Sequence, residues 1–308
     1  MLGPVLLAAS RSSAVRRLVS SAPVTRPVVD RFVPGEGLDD AVATAEALTA
    51  RGLSVTFDHL GEDVRDRAEA LRARDAYLAL AGRLKAAGHG PGVEMSVKLS
   101  AFGQALPDGH DLAYRHALAV AEAAADAGTT VTLDAEDHTT TDSTLAVLTA
   151  LRERFPRTGA VVQAYLHRTE DDCRDLAETG ARVRLVKGAY REPPEVALQR
   201  RHDVDLAYVR CLRTLMRGGA YAMVATHDPR LVAVAQTVAK RAGLAQDGYE
   251  FQMLYGIRPE EQTRLAAAGH RMRVYVPYGT DWYGYFMRRL AERPANLGFF
   301  LRSLATRG

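Results

Sequence analysis

Arg182-Val183-Arg184-Leu185-Val186-Lys187-Gly188-Ala189 is the stretch whose reading decides the fold. It is a short β-branched run with charges set into it and a glycine near its end, the pattern of a strand that stops at a loop. Helical patterns flank it. Asp171–Thr179 stops before Gly180, and Pro194–Met216 ends at Gly218. The same alternation continues outward in both directions. Toward the N-terminus lie the runs Ala160–Leu166, Thr130–Glu136, Val93–Ser100 and Leu53–Leu60; toward the C-terminus lie Tyr221–His227, Tyr249–Gly256 and Arg271–Gly279. The intervening segments Val64–Ala87, Leu112–Ala127, Ser143–Phe155, Arg230–Ala242, Pro259–Ala268 and Trp282–Arg293 read as helices, with Ser143 as an N-cap and a further helix after Pro294.

Strand–helix alternation of this kind implies parallel strands joined by crossover helices. Eight units in about 250 residues match a closed barrel. The fold expected is therefore α/β, a (βα)8 TIM-like barrel with extra N-terminal helices. It is read as one domain over residues 1–308, with an N-terminal helical segment at 1–50 and the barrel at 51–308. A doubly wound open sheet is disfavoured, because His59-Leu60-Gly61-Glu62 after the first strand is no Gly-rich phosphate turn.

Bulk properties agree. The chain has 308 residues, 47% of them hydrophobic, enough for one large core. Its 40 basic and 37 acidic residues leave a net charge of +3 and no basic run, so nucleic acid is not an expected partner. Cys173 and Cys211 form neither a metal-ligand spacing nor a disulfide framework, which fits a reducing compartment. Lysine occurs only at 85, 98, 187 and 240, every other basic residue being arginine. Residues 1–29 carry arginines and no acidic residue, somewhat like a transit peptide; an amphipathic first helix is the reading adopted. No stretch approaches the ~18 apolar residues of a membrane span.

In such a barrel the chemistry sits where the strands end. Those ends are polar here: Asp58 and His59; Lys98 and Ser100; Asp134, Glu136, Asp137 and His138; Gln163, Tyr165 and His167; Arg184, Lys187 and Tyr190; Thr226, His227 and Asp228; Gln252 and Tyr255; Tyr275 and Tyr278. Buried charge is costly unless paired, so the pattern implies a polar cavity. Asp134 and Glu136 share a face and could pair with Lys98 or Arg184; as metal ligands they are a weak set, and no metal is expected. Gln163 in mid-strand needs several hydrogen-bond partners, which a cofactor's polar edge would supply. Thr226-His227-Asp228 precede a helix and suit either a cap or a phosphate. Lys187, if it bends toward Lys98, would suit a Schiff-base aldolase, although strand alternation puts Arg184 and Lys187 on opposite faces.

Several motifs together resemble the proline dehydrogenase family. Arg184-Leu185-Val186-Lys187-Gly188-Ala189-Tyr190 is similar to its fifth strand, and Tyr275-Val276-Pro277-Tyr278-Gly279 with Tyr285-Phe286-Met287-Arg288-Arg289-Leu290 to its last strand and helix. Ser96-Val97-Lys98-Leu99-Ser100, Leu133-Asp134-Ala135-Glu136, Val162-Gln163-Ala164-Tyr165, Ala225-Thr226-His227-Asp228 and Glu250-Phe251-Gln252-Met253-Leu254-Tyr255-Gly256 follow in order. The resemblance implies a monofunctional, FAD-dependent enzyme, the chain ending at Gly308 without a fused aldehyde dehydrogenase. It would oxidise L-proline to Δ1-pyrroline-5-carboxylate by hydride transfer from C5 to FAD N5, the first step of proline catabolism to glutamate. By the same resemblance Asp134 and Arg184 are catalytic. Lys98, Arg288, Arg289, Tyr275 and Tyr285 bind substrate. Ala135, Gln163, Arg184, Lys187, Gly188, Ala189, Thr226 and His227 line the flavin. Arg191 departs from the family, which places a bulky aromatic there. A quinone is the implied acceptor, with a cytoplasmic location and peripheral association at the inner face of the membrane. The alternatives are another flavin barrel such as methylenetetrahydrofolate reductase, the aldolase using Lys187, and a barrel-shaped binding protein.

Overall fold

A computed structural model describes residues 29–62 and 64–292, with side chains as far as 289. The helix expected within residues 1–29 lies, but for Val29, outside the described residues, as does the one after Pro294. Among the described elements helix α1 (Leu38–Thr49) comes first, and it packs against the first and last strands. Then strands and helices alternate: β1 (Ser54–His59), α2 (Arg67–Ala86), β2 (Val93–Val97), α3 (Gly109–Asp126), β3 (Val131–Leu133), α4 (Thr141–Arg152), β4 (Gly159–Gln163), α5 (Thr169–Glu178), β5 (Arg182–Val186), α6 (Arg201–Gly218), β6 (Tyr221–Ala225), α7 (Pro229–Arg241), β7 (Tyr249–Leu254), α8 (Pro259–Ala267), β8 (Arg271–Tyr278) and α9 (Trp282–Glu292). The strands are parallel throughout and close, β8 pairing with β1 in the register Val55↔Val274. The fold is the expected (βα)8 barrel.

The period of two along each strand sorts the side chains into two environments. One set, including Phe57, Met95, Leu133, Val162, Leu185, Val224, Phe251 and Val276, is buried in the main apolar core, against helix residues such as Tyr77, Leu84, Leu148 and Leu212. The other set faces the barrel's interior. Thr56, Asp58, Glu94, Ser96, Asp134, Gln163, Arg184, Glu250, Gln252 and Arg273 are all buried, so the interior is filled with polar and charged groups where branched apolar residues are usual.

Three details differ from expectation. The strands end sooner than the apolar runs, β3 after Leu133 and β5 after Val186. Helix α6 begins at Arg201, not Pro194. The segment before it bonds back onto the exit of β4, with His167 N donating to Val196 O at 2.9 Å and Leu198 N to Tyr165 O at 2.8 Å. Those backbone groups are satisfied without a helical turn. Ser143 lies within the first turn of α4, and its hydroxyl receives Gln104 Nε2 at 3.0 Å instead of capping the helix.

Candidate active site

The C-terminal ends of the strands bring two groups of residues together. The first is a connected set of charges over the barrel interior. Lys98, at the end of β2, holds both carboxylate oxygens of Asp58 at 2.9 Å, with Glu62 and Asp134 each 3.8 Å away. Burial works to depress its ammonium, but Asp58, Asp134 and Glu62 overcome that and keep it well above the usual lysine range. Burial has the opposite sign for Asp58 and pushes its carboxyl up, partly offset by Lys98. Asp134 is the hub. Its Oδ1 accepts from Ser96 Oγ at 2.8 Å and Arg184 Nη1 at 2.7 Å, and its Oδ2 accepts from Tyr275 Oη at 2.7 Å. The Tyr275 ring lies 5.2 Å from the Arg184 guanidinium carbon, within cation–π range. Burial, reinforced by Asp134 and Asp58, keeps the Tyr275 phenol far above its ordinary range and so protonated.

Arg288 joins this set through Glu62, with Nη2 to Oε1 at 3.1 Å. Arg289 stacks on the Tyr285 ring at 5.2 Å. Tyr285 itself is buried among Trp282, Phe286 and Phe32 in the apolar cluster that seats α9. The structure thus connects Lys98, Asp134, Arg184, Tyr275 and Arg288, and Arg289 with Tyr285 lies beside Arg288 on α9. Tyr190 is partly exposed over the same group, its phenol raised by burial and by Glu136 and Glu62.

The second group follows β3 to β6. Gln163 is buried and its Nε2 donates to Glu136 O at 2.7 Å, so the protein itself meets part of its hydrogen-bonding need. Glu136 in turn holds Ser100, at N 3.0 Å and Oγ 2.5 Å; burial pushes its carboxyl up despite those bonds. Lys187 turns to the helix side of β5 and pairs with Asp205 on α6 at 2.5 Å and Asp228 at 3.5 Å. The bend that would bring it beside Lys98 does not occur, because strand alternation holds. A Schiff-base amine within the barrel is not formed from it. Thr226 Oγ1 accepts from Asp228 N at 3.1 Å, and His227 Nε2 accepts from Leu254 N at 3.0 Å, which makes that nitrogen an acceptor. Asp228 caps α7, accepting from Arg230 N at 3.0 Å.

Beside these polar groups Ala135, Val186 and Gly188 are only half covered and Ala189 is exposed. Gly188 sits at φ 117°, and a Cβ there would come within 2.3 Å of the Tyr165 ring. The chain can lie flat against Tyr165 only because this residue is glycine. These half-covered residues, with Gln163, Thr226 and His227 on neighbouring strand ends, would suit a heterocycle carrying phosphates.

Sequence reasoning passed over Glu62, Glu94, Glu250 and Arg273. Glu94, Glu250 and Arg273 carry the same signal that singled out Arg184, a charge at an inward position of an otherwise apolar strand. Glu94 accepts from Thr56 Oγ1 at 2.7 Å, Arg184 Nη2 at 3.0 Å and Arg182 Nη2 at 2.7 Å. Burial alone would raise its carboxyl, but Arg273, Arg182 and Arg184 drive it far below the usual range. Glu62 lies in a loop and has no local signal. Among the described residues no group of His, Cys, Asp and Glu is arranged to hold a metal ion.

Comparison with known proteins places the chain in a family. The family model described as proline dehydrogenase matches residues 41–302. Proline dehydrogenase 1 of Bacillus subtilis (strain 168) is 38% identical over 304 residues, covering 99% of each chain. Proline dehydrogenase of Deinococcus radiodurans is 39% identical over 280 residues, covering 90% of each. Among solved structures, proline utilization A from Bdellovibrio bacteriovorus, inactivated by N-propargylglycine, superposes with a TM-score of 0.80 at 26% identity. The match covers 87% of this chain and 33% of that one, so the chain spans about a third of the solved protein. With a family model over most of its length, full-length relatives and a barrel of the same architecture, the chain belongs to the proline dehydrogenase family of oxidoreductases.

Proposed function

We propose that this protein oxidises L-proline to Δ1-pyrroline-5-carboxylate with FAD as its cofactor, opening the catabolism of proline to glutamate. The observation that carries the reading is the connected set Arg184–Asp134–Tyr275–Lys98–Arg288 at the C-terminal end of the barrel. Its cations, Lys98, Arg184 and Arg288, already face carboxylates, one of which a substrate carboxylate would replace. FAD, when bound, supplies the two-electron acceptor that takes the hydride from C5 at its N5. Gln163, Lys187, Thr226 and His227, with Ala135, Gly188 and Ala189, would hold it.

The chain's own residues have separate tasks. Arg288 and Arg289, with Lys98, bind the substrate carboxylate. Arg288 now holds Glu62, so substrate binding exchanges one carboxylate for another. Tyr275 and Tyr285 supply ring surface for the pyrrolidine. Asp134 keeps Tyr275 and Arg184 in place, and Arg184 provides positive charge where the electrons arrive. The electrons would leave to a quinone, through peripheral contact with the inner face of the membrane from the cytoplasm. No helix among the described residues is long and apolar enough to cross a membrane. The test is direct. Purified protein should be yellow, and anaerobic L-proline should bleach its flavin absorbance while pyrrolidine does so far less. A colourless protein that gains neither activity nor thermal stability from FAD would overturn the reading.

A further inference from the structure

We propose that Gln252 is a positioning residue for Arg184, fixing the guanidinium in the barrel interior while keeping a further carboxylate away from it. The inference rests on the flavin reading above. Gln252 is buried on β7. Its Oε1 accepts from Arg184 Nε at 2.5 Å, and its Nε2 donates to Glu250 Oε1 at 2.6 Å. Glu250 is held in its turn by Arg273, with Nε at 2.7 Å and Nη2 at 3.2 Å, and by Tyr221 Oη at 3.2 Å.

These partners leave the amide one orientation. Flipped, it would set its NH2 against the Arg184 Nε–H and its oxygen against the Glu250 carboxylate. The hydrogen-bond chain Arg273–Glu250–Gln252–Arg184 therefore runs from the depth of the barrel to the site with a fixed direction. The rest of the guanidinium is shared between Ser96 and Asp134, both at 2.7 Å from Nη1, and Glu94, at 3.0 Å from Nη2. Those contacts hold the outer fork. Among the described residues Gln252 is the partner that holds Nε, the atom nearest the stem, and so sets where the fork points.

A neutral residue here also has an electrostatic consequence. Arg184 already faces the carboxylates of Asp134 and Glu94. Glutamate at 252 would add another and would stand directly against Glu250. The amide passes a hydrogen bond along the chain without that charge, which preserves the positive field of Arg184 beside the cofactor.

The experiment compares FAD-loaded wild type with Gln252→Met and Gln252→Glu. Gln252→Met is close in volume and removes the acceptor for Nε. Its kcat should fall about tenfold, with KM for proline nearly unchanged because the carboxylate clamp is untouched. The flavin potential should fall by about 30 mV, the equivalent of a tenfold change for a two-electron couple. Adding Arg184→Lys to Gln252→Met should cost much less than Arg184→Lys costs alone, since both remove the same placement. Gln252→Glu keeps the acceptor but adds charge, so its potential should also fall. Wild-type kcat and potential in Gln252→Met, with only melting temperature lowered, would overturn the proposal, as would full additivity with Arg184→Lys. If Gln252→Met does not fold, an unchanged potential in Gln252→Glu overturns it. A crystal structure of flavin-free Gln252→Met reads the placement independently. Arg184 displaced from Ser96 and Asp134 supports the positioning role even were wild type to hold no flavin, an outcome that would sink only the functional reading. An unmoved guanidinium refutes the role.

Discussion

Arg184 has so many buried partners that its position is over-determined, and this makes its substitution informative. Burial alone would favour the neutral guanidine, but Asp134 and Glu94 keep the cation charged. Arg184→Lys retains the charge yet cannot bond Gln252, Ser96, Asp134 and Glu94 together, because an ammonium lacks the planar fork. We expect turnover to drop strongly, on the order of a hundredfold, with a more negative flavin potential in anaerobic titration. Unchanged kinetics and potential would reduce Arg184 to a structural ion pair. Arg288→Met and Arg289→Met should instead act on binding. A lost charge-assisted hydrogen bond costs ~1.5–3 kcal/mol, so the Michaelis constant for proline should rise roughly tenfold to a hundredfold with FAD content near normal. The same variants should discriminate less between proline and pyrrolidine; wild-type affinity in both would remove the carboxylate clamp. His59 provides a test by pH. Burial lowers its pKa below the ordinary 6.5, while its ring packs edge-on against Tyr77 and Tyr278. The folded state thus binds fewer protons than the unfolded one. The stability this contributes is present above pH 6.5 and is lost as pH falls from there through the folded value. Urea midpoints should therefore fall between about pH 7.5 and 5.5. His59→Gln should show a shallower fall, and an equal slope in both proteins would refute the assignment.

At the scale of elements, several candidate site residues lie at or near the end of a strand, and small changes of backbone there decide which face a side chain takes. The end of β5 shows this. Arg184 follows the inward alternation, Lys187 the outward one toward Asp205, and Gly188 then turns the chain at positive φ against Tyr165. Gly188→Ala would require a left-handed conformation and a displaced ring. We expect a loss of ~1–3 kcal/mol in stability, read as a lower melting temperature, together with weaker FAD retention. Normal flavin content and melting in this variant would show that the turn is not needed at the cofactor surface. The segment after it departs from its helical pattern for a related reason. Its backbone is satisfied by the exit of β4, with Leu166 and Ala197 bridged, so α6 starts only at Arg201.

For the whole molecule, the unusual feature is a closed barrel with charges inside it. Arg273 shows how those charges support closure. From β8 it pairs with Glu250 on the neighbouring strand, and its Nη1 donates to Val55 O at 2.9 Å and Gly92 O at 3.2 Å across the seam. Removing one partner of a buried pair leaves an uncompensated charge. Arg273→Met should therefore cost about 3–5 kcal/mol, measured by urea unfolding, and adding Glu250→Gln should return part of that loss. A single variant as stable as wild type would mean that the interior charges are separately solvated and do not brace the barrel.

Taken by itself the sequence determined the order and type of the eight strands and of the helices between them, because periodicity and glycine stops act over a few residues. It also singled out Lys98, Asp134, Arg184 and Tyr275 on strands, and Arg288 on the last helix, as candidates for one site, and the structure brings them together. It carried the signal for Glu94, Glu250 and Arg273 as well, as charges at inward positions, although that signal is easily passed over. Partnerships were decided only by the tertiary structure. Arg288 meets Glu62 across 226 residues of chain, Arg184 meets Glu94 across 90, and Lys187 meets Asp205 rather than the interior. Such pairs form when barrel closure sets distances between remote strands and loops, and burial then requires each charge to find the opposite charge within reach. No local pattern encodes that distance, so the electrostatics of the site belong to the closed barrel.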